Sequence, residues 1–396
     1  MVKARLFHAT LPMRDGFAHP AARRTQSDSL VLHLSLDGVS GIGECAPRSY
    51  VTGETTQSVQ EALQELRMEA LFDKLRTADS RELLAVLHAD GFEKTFKIAG
   101  ENNLICLLET AVFDLLGQRL WNGVQEMLAT SIQDTTEAVA PVPVTQVIDL
   151  EISAEDFLAT RGPFHFVKVK ASGDIVRDET TVRIIRDRLG SDVPIIVDAN
   201  MSWTFDDALH NMKILRNHGV DLFEEPLQQG SWSDMRELRR RTGASIMLDE
   251  SLCTLDQART AVETDACDAF NIRVAKCGGL INSTNIIDYA RQNGIQFQIG
   301  VQVAEVGPLI NASRALAFVH RDAFTVEGGQ SDRFFSSMIV SPAPAVDRTT
   351  NTISPMAGSG FGMSLNRSAD AYAVLEFTEN HDQWRPTTTT LEVKAQ

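Results

Sequence analysis

From Pro141 onward, short apolar runs alternate with longer amphipathic stretches. The runs VPVTQV, FVKVK, PIIVDAN, DLFEEPL, SIMLDES, AFNIRVAK, FQIGVQVAE and AFTVEGG have the length and apolar content of buried strands. Between them lie DETTVRIIRDRLG, TFDDALHNMKILRNHG, SWSDMRELRRRTG, TLDQARTAVETDA, INSTNIIDYARQNG and GPLINASRALAFVH, which read as amphipathic helices. Several open on Ser, Thr or Asp and close on Gly, as capped helices do. Eight strands with helices between them predict a parallel (β/α) barrel joined by right-handed crossovers. An open, doubly wound sheet is the other arrangement of the same elements.

The first 135 or so residues follow a different rhythm. DSLVLHLSLDG alternates apolar and polar positions, and VSGIGECAP follows a turn at Asp37 and Gly38, which predicts a hairpin. Helical patterns come next in TTQSVQEALQELRMEALFDKL, SRELLAVLHAD and NLICLLETAVFDLLGQRLW. The last is apolar around most of its circumference and is expected to be buried. The predicted organisation is an α+β domain over 1–135, a barrel over 136–340 and a C-terminal segment over 341–396. SPMAGSGFGMSL is glycine-rich but does not join a strand to a helix, so it reads as turns. The last dozen residues, RPTTTTLEVKAQ, read as weakly ordered.

Composition narrows the function. Of 396 residues 43% are apolar, enough for a large core. A net charge of −16 argues against nucleic acid and against anionic membrane as partners. It leaves room for an anionic small molecule, because a metal or a few lysines can reverse the field within one pocket. Five cysteines with no C-x-x-C spacing predict neither a disulfide framework nor a zinc site. No run reads as a signal peptide or a membrane span, so a cytoplasmic setting is expected.

Charge at the strand ends carries the chemistry. The second run ends in Lys168 and Lys170, the third in Asp198 followed by Asn200, and the fourth in Glu224 and Glu225. The fifth ends in Asp249 and Glu250, the sixth in Lys276, the seventh in Glu305 and the eighth in Glu327. From Lys170 through Asp198, Glu224, Asp249 and Lys276 to Glu305 the steps are 28, 26, 25, 27 and 29 residues, one β/α unit each. Charges therefore recur at one height, at the carboxyl end of the strands, where barrel active sites lie. A lone acid there is more often a helix cap or a surface residue. Lys-x-Lys alone fits an edge strand. The joint pattern is what points to a site.

Asp198, Glu224 and Asp249 on successive strands form the best oxygen-only triplet for a hard divalent cation such as Mg²⁺. Lys168 and Lys170 then flank the metal on one side and Lys276 on the other. A lysine beside a second ammonium and a metal is disfavoured in its charged form, which makes Lys170 a candidate base. Lys276 is the candidate partner on the opposite face, and Lys168 supports Lys170 and holds a negative oxygen. Asn200 shares a face with Asp198. Glu225 and Glu250 are expected to point away from the barrel axis, because neighbours in a strand alternate. His165, His210 and His218 show no metal-binding spacing, and Cys277 reads as buried.

These residues resemble the enolase superfamily, within its muconate-lactonizing (muconate cycloisomerase) subgroup of the mandelate racemase–muconate lactonizing enzyme family. KVKASGD, VDANMSW, FEEPL, LDESL and RVAKCGGL match its strand-end motifs in order. GIGECAPRSYVTGET and LLETAVFDLLGQRLW look like its capping-domain segment and the helix leading into its barrel. The resemblance implies an N-terminal α+β capping domain on a modified (β/α)7β TIM-type barrel, with the C-terminal segment returning to the cap. It implies Mg²⁺ at Asp198, Glu224 and Asp249, and Lys170 with Lys276 as the acid/base pair. Lys168 would support the substrate carboxylate. It implies a small-molecule carboxylate as substrate and a homo-oligomer as the assembly.

It also implies α-proton abstraction to a metal-stabilised enediolate, the chemistry of that superfamily. The overall reaction stays open between racemisation or epimerisation of an N-substituted amino acid and muconate-type cycloisomerisation. A succinylbenzoate-synthase-like dehydration and a non-catalytic carboxylate-binding homologue are alternatives. Dipeptide epimerases of the family carry Asp-x-Asp after the eighth strand, and VEGGQSDRFF departs from that. Glu305 and Glu327 occupy pocket positions and are expected to contact substrate. Specificity is expected from two cap loops, Met13–Ser27 and Arg48–Thr55, in which Arg14, Arg23, Arg24 and Arg48 are candidates for a second carboxylate. A Schiff-base aldolase using Lys170 or Lys276 as nucleophile is the competing enzyme class.

Overall fold

The computed structural model describes residues 2–20, 22–129, 140–379 and 381–387. The predicted boundary between 135 and 136, and the tail from 388, lie outside the described residues. An eight-stranded parallel sheet runs in chain order through Gln146–Ile148, Val167–Lys170, Ile195–Asp198, Leu222–Glu224, Ser245–Leu248, Ala269–Ile272, Gln296–Ile299 and Thr325–Val326. The Thr145 N–H donates to the Val326 carbonyl at 2.8 Å, which ties the last strand to the start of the first. Seven helices fill the seven gaps, from Ala154–Thr160 to Pro308–Val319. The arrangement is the (β/α)7β barrel, and the open doubly wound sheet is set aside. Val167–Lys170, Ile195–Asp198 and Ala269–Ile272 are buried at every position, as strands covered on both faces must be.

The sixth and seventh strands stop earlier than their apolar runs suggest. Past Ile272 the chain coils into a tight turn, with Cys277 N–H donating to Arg273 O at 3.0 Å and Gly279 N–H to Val274 O at 2.9 Å. Period-two alternation therefore fails between Arg273 and Lys276. Glu305 likewise lies in the loop after Gln296–Ile299, beyond the strand.

The cap is a five-stranded sheet in the order His381–Pro386, Ala373–Thr378, Val2–Ala9, Ser29–Leu36, Val39–Cys45. The C-terminal segment does return to it. Asp37 and Gly38 take φ of 53° and 90°, the left-handed pair that a two-residue hairpin turn requires. The helix Asn102–Leu120 is buried from Asn103 to Gly117 and lies directly on Val39–Cys45. Contact is so close that a Cβ on Gly41 or Gly43 would meet helix backbone at 2.4 Å, so only glycine fits at these two strand positions. TTQSVQEALQELRMEALFDKL is two helices, Thr56–Glu65 and Met68–Thr77.

Cap and barrel are joined by carboxylates at helix N-termini. The helices Pro308–Val319 and Leu280–Gln292 begin after Gly307 and Gly279, which bring no capping side chain of their own. Glu44, on the last cap strand, accepts from the N–H groups of Val306, Gly307 and Leu309 at 2.7, 2.9 and 3.1 Å. Glu109 accepts from Leu280 N–H. Each supplies the acceptor that a helix start lacks, and a negative charge there interacts with the helix dipole by up to about 2 kcal/mol. Burial works against that charge: it pushes Glu44 up to about 7 and Glu109 up to about 8.

Candidate active site

Two strand pairs set the site. Lys170 and Asp198 are register partners, and so are Asp198 and Glu224. Asp249 follows the last residue of Ser245–Leu248. Asp198, Glu224 and Asp249 are all 0% exposed, so each must be compensated from within the protein. Lys170 Nζ donates to Asp198 Oδ2 at 2.5 Å and to Asn200 Oδ1 at 3.1 Å. Lys168 Nζ lies 2.5 Å from Glu224 Oε2 and 2.6 Å from Glu327 Oε1. The two lysines thus share a face without repelling unchecked, because each is neutralised by its own carboxylates. Burial lowers the pKa of Lys168, but Glu224, Glu327 and Asp198 outweigh it and hold the ammonium above its ordinary range. Lys168 is a fixed cation.

The sixth strand is where the expected geometry changes. Lys276 is 0% exposed and donates to Asp249 O at 2.6 Å, Asp249 Oδ1 at 2.9 Å and Asn271 O at 2.8 Å. It does not line the cavity at the barrel mouth. Arg273 does, with its guanidinium on Asp249 Oδ2 and on Gln302 Oε1, the latter at 2.7 Å. The cation that faces Lys170 across the cavity is therefore an arginine. A search for lysines passes over it, although it stands in the quoted motif RVAK.

Glu250 also departs from expectation. It belongs to the turn after the fifth strand, where alternation no longer holds, and it lines the cavity instead of pointing away. Its Oε1 accepts from Asn200 Nδ2 at 3.0 Å. Burial, with Asp198, Glu225 and Glu224 nearby, raises it to about 8. Glu225 does turn away, and it accepts from Asp249 N–H at 2.7 Å and Ser251 N–H at 3.1 Å. Its partners there are backbone groups and the Ser251 hydroxyl.

The remaining candidates separate into two groups. Asn200 and Glu327 line the cavity. Glu305 sits behind it, 2% exposed, accepting from Gln302 N–H at 2.7 Å, and burial raises its pKa well above the usual carboxylate range. Arg48 is 2% exposed, and its guanidinium donates to Asp28 O, Pro47 O and Val303 O at 3.0, 2.8 and 3.0 Å. Those bonds clamp the cap to the loop after the seventh strand and keep Arg48 out of the cavity wall.

The cap closes the mouth with residues the sequence did not single out. Met13–Ser27 is a hairpin of Pro12–His19 and Ala22–Gln26, and its Phe17 and His19 line the cavity with Tyr50. Burial, then Lys170 and Arg273, push His19 down to about 3, so its imidazole is neutral near pH 7. Arg161 and Arg333 complete the opposite wall. Four cations, Lys170, Arg161, Arg273 and Arg333, thus share the lining with Asp149, Glu250 and Glu327.

The donor set at the inner end suits a hard divalent ion. Asp198, Glu224 and Asp249 are oxygen donors on three consecutive strand ends, and Asp198 and Glu224 add to burial in raising Glu250. Among the described residues no three His, Cys, Asp or Glu side chains stand grouped as a ready-made cage. The reason is the pairing just described: Lys170, Lys168 and Arg273 with Lys276 each draw one of the three carboxylates to themselves.

Residues 149–369 match the family described as enolase C-terminal domain-like. The chain is 26% identical over 306 residues to the N-succinyl-L-Arg/Lys racemase of Bacillus cereus, covering 75% of this chain and 79% of that one. The crystal structure of a dipeptide epimerase from Enterococcus faecalis, complexed with Mg and L-Leu-L-Tyr, superposes with a TM-score of 0.79 at 21% identity, covering 91% of this chain and 99% of that one. The muconate lactonizing enzyme of Pseudomonas fluorescens, complexed with muconolactone, gives 0.77 at 22% identity, covering 94% and 98%.

Proposed function

The chain belongs to the enolase C-terminal domain-like family of the enolase superfamily, and from that premise we propose that it is a magnesium-dependent isomerase removing the α-proton of a carboxylic acid. The observation that carries this reading is Lys170, a lysine lining the cavity beside a sealed carboxylate, Asp198. Asp198, Glu224 and Asp249 would hold Mg²⁺, which supplies positive charge to the substrate carboxylate as the α-proton leaves.

The chain's own groups do the rest. Lys170 moves the proton, with Asn200 fixing its Nζ. Lys168, locked between Glu224 and Glu327, keeps positive potential beneath the reacting carboxylate. Arg273 faces Lys170 and contributes charge without proton transfer, since a guanidinium stays protonated in proteins. The hairpin residues Phe17 and His19 cover the mouth and exclude water.

This arrangement favours chemistry on one face of the substrate. Two-lysine racemisation, one of the reactions the sequence leaves open, would need Lys276 to reach the cavity, and Lys276 donates instead to Asp249 O, Asp249 Oδ1 and Asn271 O. Proton transfer by Lys170 alone fits a cycloisomerisation. Loss of a lactone's α-proton is then matched by cleavage of its C–O bond at the β-carbon, and in the reverse direction carboxylate addition is matched by protonation of the α-carbon. A β-elimination of the succinylbenzoate-synthase type is the second reading. The test is α-proton exchange in D₂O, followed by NMR, over muconolactones, N-acyl amino acids and dipeptides with Mg²⁺ present. Exchange should require Mg²⁺ and Lys170 and should be confined to one stereoisomer. Exchange that survives Lys170→Ala at the original rate would overturn the proposal.

A further inference from the structure

Inside the barrel, outside the cavity lining, one polar side chain stands among apolar strand neighbours. Asn271 belongs to the sixth strand, Ala269–Ile272, between Phe270 and Ile272, and is 0% exposed. Its Nδ2 donates to Glu224 Oε1 at 2.7 Å. An ionised carboxylate can only accept, so the amide is oriented with its nitrogen toward Glu224 and its oxygen away. That oxygen, Oδ1, is buried with no hydrogen-bond partner, which is unfavourable in itself. The other oxygen of Glu224 has Lys168 Nζ at 2.5 Å, while Arg273 Nη2 stays 3.9 Å from Oε1. Glu224 is thus held at one oxygen by a cation and at the other by a neutral amide. A second close cation would cancel the charge of Glu224. An amide orients the carboxylate and leaves its charge in place.

Gly300 makes room for this amide. It follows the seventh strand, Gln296–Ile299, and its N–H donates to Ile272 O at 2.8 Å, so it lies beside the sixth. A Cβ on Gly300 would stand 2.1 Å from Asn271 Oδ1 and 3.1 Å from Nδ2. The φ of Gly300 lies outside the left-handed range, so the Asn271 amide, rather than the backbone, is what excludes a side chain here.

We infer that Asn271 is a positioning residue for Glu224, and that Gly300 lacks a side chain so that the amide can reach that carboxylate. This rests on the reading of Glu224 as a ligand of the divalent cation. Asn271 fixes the direction of Glu224 Oε1 through its side chain alone. Its main-chain oxygen separately accepts from Lys276 Nζ at 2.8 Å, a bond that a side-chain substitution leaves in place.

The test is Mg²⁺ binding by calorimetry, without substrate, to the parent, Asn271→Ala, Gly300→Ala and the double variant. Loss of a group that orients a metal-binding carboxylate weakens affinity by about 10- to 100-fold, and each single variant should show it. The three atoms nearest a methyl at 300 all belong to the Asn271 side chain, so the double variant should bind Mg²⁺ within about twofold of Asn271→Ala. A purely structural role predicts lower melting temperatures in EDTA with parent-like Mg²⁺ affinity. That result overturns the inference, and so does a double variant that shows the product of both losses. Should Asn271→Ala fail to fold, Gly300→Ala carries the test, and parent-like affinity there refutes the proposal. A parent that binds no Mg²⁺ overturns the metal reading and this inference together. A parent that binds it alongside unaffected variants overturns this inference alone.

Discussion

Lys170 and Arg273 face each other across one cavity, Lys170 ending the second barrel strand and Arg273 following the sixth. An amine stands on one side of the substrate position and a guanidinium on the other. As chemical groups, an amine can serve as a base and a guanidinium cannot.

Arg273→Lys should therefore add a second proton-moving group. The variant is expected to exchange the α-proton of the stereoisomer that the parent leaves untouched, turning a one-sided enzyme into a racemising one. Deuterium incorporation into each enantiomer, resolved by chiral chromatography, reads this directly. Arg273→Met should slow the existing exchange by about 10² to 10⁴, the scale for a positioned charged group. Equal exchange of both enantiomers by the parent protein would contradict the assignment.

Asp249 balances two buried cations, Arg273 and Lys276. Asp249→Asn should lose activity and should also melt earlier in metal-free buffer, by about 3–5 kcal/mol of stability, because it strands uncompensated charge. Adding Mg²⁺ should raise the melting temperature of the parent and leave that of the variant unmoved. Differential scanning calorimetry with and without EDTA checks both statements.

Phe17 and His19 reach the cavity from the cap hairpin, while the proposed metal ligands belong to the barrel. Phe17→Ala should change KM and the ranking of substrates, with Mg²⁺ affinity held within about twofold. Replacing residues 13–27 by a homologous hairpin should do the same more strongly. A shift in Mg²⁺ affinity equal to the shift in KM would show that cap and metal site are not separable.

Glu44 is fully buried, and burial raises it to about 7 against an ordinary value of 4.5. Folded protein then binds this proton more tightly than unfolded protein does. Its contribution is complete below pH 4.5 and is lost as pH rises through 7. The stability advantage of the parent over Glu44→Gln should shrink between pH 5 and pH 8, by on the order of 3 kcal/mol at most. Urea melts at four pH values across that range measure it.

Much of the fold was legible because periodicity is a local signal. Eight apolar runs at β/α spacing predicted the barrel, and Asp37 with Gly38 predicted the hairpin turn. Asp198, Glu224, Lys168 and Lys170 were readable as well, since they end regular strands where alternation still holds. Arg273 and Glu250 were not. They sit in turns immediately after the strands, and a two-residue period carried past the last ladder bond assigns the wrong face. The cap residues Phe17, His19 and Tyr50, and the arginines at 161 and 333, come together only through contacts between distant parts of the chain. No local pattern marks them.

The first strand of the cap sheet, Val2–Ala9, lies between Ser29–Leu36 and Ala373–Thr378. A ribosome makes one of these neighbours before the barrel and the other after it. Val2–Ala9 must therefore wait, with one edge open, while the whole barrel is translated. Only when the segment around residue 375 leaves the exit tunnel can that edge be covered. A stop codon shortly before residue 373 would thus spare every barrel residue of the proposed active site and still leave the cap sheet with an unpaired, aggregation-prone edge.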